Sequence, residues 1–85
     1  MRTRKAIILE AMDSMLASAQ LEASPGITLE KFVKELEWLR EYPRDGEAGK
    51  FTPGQIKYIK QVLDGNFKFK EVNNQRYYIT ESLLV

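Results

Sequence analysis

Residues Thr52 to Thr80 read TPGQIKYIKQVLDGNFKFKEVNNQRYYIT, and this stretch decides the fold. Thr52 before Pro53, with Gln55 three residues after the threonine, is a capping-box start for a helix. Ile56, Ile59, Val62 and Leu63 recur at helical spacing and define its inward face. Lys57, Lys60, Gln61 and Asp64 fall on the outward side, with Tyr58 near the boundary. Gly65 stands where a left-handed C-cap is expected. Beyond it Phe67, Phe69 and Glu71 alternate with Lys68, Lys70 and Val72, which is strand periodicity. Asn73-Asn74 tolerates positive φ and closes a tight hairpin. Arg76 to Thr80 returns as the second strand, Tyr77 and Ile79 on one face and Arg76 and Tyr78 on the other.

Two amphipathic helices are expected upstream. From about Thr3 to Gln20 an apolar stripe runs through Ile8, Met12, Met15, Leu16 and Ala19. Ala23-Ser24-Pro25-Gly26 breaks it. Ile27 is expected as a short strand residue, and Thr28 as the N-cap of a second helix with its stripe on Leu29, Phe32, Val33, Leu36 and Leu39. Pro43 sets the end of that helix near Tyr42. The polar, Gly-containing run that follows is expected as a flexible loop at 43–51 inside one domain covering residues 1–85. Leu83-Leu84-Val85 is an apolar tail that packs back on the core or meets a partner.

The chain has 85 residues, no Cys and no His, and a formal net charge of +1. Disulfides and thiolate metal sites are therefore excluded, and the commonest general base and transition-metal ligand is missing. No Ser or Thr has a His partner and no loop has phosphate-cradle spacing. Glu10 with Asp13, and Glu37 with Glu41, are carboxylate pairs of a kind common on solvated helix faces. The expectation is a non-enzyme with no cofactor, no metal and no small-molecule substrate. The basic start Met-Arg-Thr-Arg-Lys looks like a signal-peptide n-region, but Glu10 and Asp13 follow Ile7 to Leu9 too soon for an apolar h-region. A cytoplasmic protein that does not enter a membrane is expected.

Charge is unevenly placed. From Ala6 to Gly49 nine acids face four bases, whereas from Lys50 to Arg76 six bases face two acids. That division suggests an acidic body and a basic working end, although any small chain split at convenient points shows some asymmetry.

Three helices followed by a basic hairpin give an α+β order that resembles the winged helix–turn–helix superfamily. The resemblance covers nearly the whole chain by topology and patterning. Ile27 to Phe32 looks like the short strand running into the second helix, Thr52 to Leu63 like the recognition helix, and Phe67 to Thr80 like the wing. The long loop between the second and third helices departs from the usual turn of about three or four residues. The resemblance implies a regulatory protein that binds double-stranded DNA. Gln55 and Gln61 would read adenine, and Lys57 and Lys60 would reach guanine or phosphate. Thr52, the amides around Gly54 and nearby Lys50 would hold a phosphate at the helix start. Lys68, Lys70 and Arg76 would lie along the backbone from the wing. Arg2, Arg4 and Lys5 read as a flexible basic arm. Against this, lysines on a helix face and a hairpin edge also serve solubility and block strand aggregation.

A second reading makes the chain a protein-binding adaptor or inhibitor on the same scaffold, or a homodimer. Trp38 and Tyr42, one helical turn apart, would then form the working surface with Leu84. Equally, Trp38 can cover the edge of a small core.

Overall fold

The computed structural model describes residues 2–21 and 26–79. In chain order it contains α1 (Arg4–Leu21), α2 (Leu29–Leu36), a 3₁₀ turn (Glu47–Gly49), α3 (Pro53–Asn66), β1 (Lys68–Val72) and β2 (Gln75–Ile79). This is an α+β arrangement, three helices followed by a two-stranded antiparallel C-terminal hairpin. The Leu83-Leu84-Val85 tail, Leu84 included, lies outside the described residues.

Each helix start follows from a side-chain cap. Thr3 Oγ1 accepts the Ala6 amide, Thr28 Oγ1 accepts the Lys31 amide, and Thr52 Oγ1 accepts the Gln55 amide. These hydroxyls satisfy amides that have no partner within the first helical turn. α1 buries Ile7, Ile8, Met12, Leu16 and Ala19 against Ile59, Val62 and Leu63 of α3 and Phe32 and Leu36 of α2. Arg4 and Lys5 lie in the first turn of α1, and Arg2 is ion-paired with Glu10 and Glu41, so the expected basic arm is folded against the body. α3 runs through Gly65 to Asn66 with a continuous hydrogen bond from the Phe67 amide to the Leu63 carbonyl, so Gly65 is helical and not a cap.

α2 stops six residues earlier than expected. After Leu36 the backbone tightens: Trp38, Leu39 and Tyr42 amides bond the carbonyls of Glu35, Leu36 and Leu39, each three residues back. At three residues per turn, Leu36, Leu39 and Tyr42 come onto one face. Tyr42 is thereby buried to 2% exposure and meets the Phe51 ring edge-on at 5.6 Å. Trp38 is turned the other way and is 83% exposed. The expected Trp38–Tyr42 surface pair does not exist, because that pairing needs four residues per step on a continued α-helix.

The hairpin is closed by Asn73 and Asn74, both at positive φ (53° and 65°), as the two-residue turn requires. Its register pairs Lys68 with Ile79, Lys70 with Tyr77 and Val72 with Gln75. Ile27 adds a third layer of backbone bonding: its amide and carbonyl bond the Tyr78 carbonyl and amide at 3.0 and 2.8 Å. Gly26 makes this approach possible. It sits at φ 142°, and a Cβ there would lie 2.6 Å from the Tyr78 carbonyl oxygen. Among the described residues no helix is long and apolar enough to cross a membrane.

Candidate nucleic-acid interface

The capping box at the start of α3 does more than begin the helix. Gln55 is 8% exposed, and its amide faces inward. Oε1 accepts the Asp45 and Thr52 amides at 3.0 and 3.1 Å, and Nε2 donates to the Pro43 carbonyl at 2.9 Å. The 43–51 loop, expected as flexible, therefore curls around one buried side chain. It is further closed by the Gly46 amide bonding the Lys50 carbonyl at 2.8 Å. Gln55 is removed from any base-reading role, since its polar atoms are all engaged by backbone. Thr52 is likewise occupied as the cap. Lys50 points to Glu37, with Nζ 3.6 Å from Oε2, and not to an anion site at Gly54.

The outward face of α3 presents Lys57 and Gln61, both exposed and without a hydrogen-bond or ion-pair partner among the described residues. Lys60 differs: its ammonium donates to Asp64 Oδ2 at 2.8 Å, one helical turn on. Asp64 is where the hairpin joins the helix. Its Oδ1 accepts Arg76 Nη1 at 3.1 Å and the Tyr78 hydroxyl at 2.6 Å. Arg76 also approaches Glu71 at 3.6 Å and lies over the Phe69 ring, 3.9 Å from its centre. Partial burial pushes the Asp64 carboxyl up. Bonds from Lys60, Tyr78 and Arg76 outweigh that and hold it below the usual carboxylate range. Burial, and then the bond to Asp64, raise the Tyr78 phenol well above its ordinary value.

Phe69, Glu71, Arg76 and Tyr78 occupy the hairpin face that meets Asp64, as the register demands. Lys68 and Lys70 point to the opposite face, and both are exposed. Of the expected site residues, the structure thus brings Lys60 and Arg76 together through an aspartate. It leaves Lys57, Gln61 and Lys70 unengaged, and it withdraws Gln55. Asp64 and Tyr78 are the organising residues that sequence reading passed over. The Lys60–Asp64 spacing was visible in the sequence, but the long-range bond to Tyr78 was not. No protein-family model, curated protein or solved structure matches the chain.

Proposed function

We propose that the α3 and hairpin segment binds double-stranded DNA, weakly and chiefly through phosphate, in a regulatory role in the cytoplasm. The observation that carries this reading is the way charge is consumed between Lys50 and Arg76. Both acids of that segment, Asp64 and Glu71, are engaged with Lys60 and Arg76 in joining the hairpin to the helix. Lys57 and Lys70 are left as uncompensated cations beside a fixed joint, so positive potential is concentrated on these two elements. Gln61 is the remaining polar side chain on the outward helix face able to bond a base edge.

Phosphate contacts release counterions, so affinity falls with salt by roughly 0.9 in log–log slope per contact. The test is fluorescence anisotropy on a mixed-sequence duplex across a salt series. The native protein is expected to bind with a dissociation constant of about 10⁻⁴ to 10⁻⁶ M, the range of non-specific binders. Lys57→Ala combined with Lys70→Ala is expected to weaken binding and to flatten the slope by about 2. Gln61→Ala is expected to leave the slope alone. An unchanged slope in the double variant, or no binding of the native protein at low salt, removes the reading.

A further inference from the structure

A groove of about 300 Å³ runs between α1 and the end of α2 with the segment that follows it. It shares no residue with the α3–hairpin surface. Its floor is apolar, formed by Ile7, Ala11 and Met15 on one wall and Leu36 and Leu39 on the other. Its rim is acidic: Glu10 on the α1 side, Glu35 and Glu41 on the other. One guanidinium already bridges the two walls, with Arg2 Nη1 donating to Glu10 and Nη2 to Glu41. A second depression of about 280 Å³, with Lys31 on its wall, shares Ser14, Met15 and Glu35 and continues the groove toward Ile27, so the acidic rim is confined to the first. There is room for a length of chain, not only for one side chain.

We infer that this groove docks a segment of another protein in which arginine stands beside apolar side chains, with Arg2 as the tethered competitor. The apolar floor supplies hydrophobic contact. The paired carboxylates match the planar fork of a guanidinium better than the compact head of a lysine. The native occupant is easily displaced, because the Arg2, Glu10 and Glu41 side chains are 40%, 67% and 47% exposed and ion pairs so open to water contribute little. An acidic rim also repels phosphate, so a nucleic acid is the wrong ligand for this face.

Binding is read as the fluorescence anisotropy of a labelled peptide. The probe is a fluorophore-labelled, blocked peptide of leucine, alanine and arginine. Its control carries citrulline, the neutral isostere, at each arginine. The arginine peptide is expected to bind the native protein, and to bind the Arg2→Ala protein roughly two- to fivefold more tightly. Citrulline in the peptide, or Glu10→Gln with Glu41→Gln in the protein, is expected to weaken binding about tenfold. Equal binding of the two peptides, or no binding to an Arg2→Ala protein whose circular dichroism is native, overturns the proposal. So does self-association of Arg2→Ala in sedimentation, which would make a second copy the occupant, or equally effective competition by free arginine. Should a variant fail to fold, the two peptides titrated against the native protein still decide.

Discussion

A buried carboxamide brings two donor hydrogens and an acceptor oxygen that must all be matched to partners once water is excluded. Gln55 places each of its polar atoms on backbone, Oε1 accepting the Asp45 and Thr52 amides and Nε2 donating one hydrogen to the Pro43 carbonyl, three points spread over ten residues of chain. Truncation removes the partner of two amides and one carbonyl in a place where water enters poorly. Gln55→Ala is therefore expected to cost about 2–3 kcal/mol, against about 1 kcal/mol for loss of the cap in Thr52→Ala. In a chain of this size that is a fall in Tm on the order of 10–15 °C for Gln55→Ala. Thermal melts of the two variants side by side check the order, and equal shifts would show that Gln55 acts only as a capping-box residue. The sequence displays Gln55 as an N3 residue, and that much is what the structure shows. It does not display where the loop goes, and the loop decides whether the side chain faces solvent or core. A glutamine in that position, read from spacing alone, looks like a base-reading side chain.

Elements with local determinants were legible: the Thr52 cap, Pro53 at the first turn, the helical stripe of α3 and the Asn73-Asn74 turn. The end of α2 was not. Pro43 gives only the outermost limit of that helix, and the choice between four-residue and three-residue steps after Leu36 is made by the burial of Tyr42 against Phe51. That contact spans nine residues of loop and leaves no periodic trace. The hairpin turn, by contrast, carries a local cost that can be measured. Both asparagines hold left-handed backbone, which a side chain with a Cβ adopts at a penalty and glycine adopts freely. Asn74→Ala is expected to lose about 1 kcal/mol, and Asn74→Gly to gain about 0.5 kcal/mol by giving the Asn-Gly pair this turn favours. Urea unfolding of the three proteins should rank them glycine, asparagine, alanine. A reversed rank would mean that the turn does not limit hairpin stability.

At the scale of the molecule, the hairpin is held to the helices by packing of Tyr78 in the core and by polar contacts that include the backbone bridge from Ile27 to Tyr78 and Asp64 with its three donors. The bridge is indifferent to pH, but Asp64 is not. A carboxylate whose folded pKa is depressed contributes stability that is present above its unfolded value, near 4, and lost as pH falls through the folded value. Loss of the charge leaves Lys60 and Arg76 facing each other's field, with the buried Tyr78 hydroxyl keeping a weaker acceptor. Asp64→Asn imposes that condition at every pH. The variant is expected to be about 1–2 kcal/mol less stable than the native protein at neutral pH. That gap should begin to narrow as both are taken below about pH 4 and close only below the depressed folded value, where the native Asp64 is protonated as well. Urea midpoints for the pair at about pH 7, 5 and 3 test this. A gap that stays constant across the series would place the effect of the substitution in packing and not in charge, and the joint between helix and hairpin would then rest on the Ile27–Tyr78 bridge and on core packing.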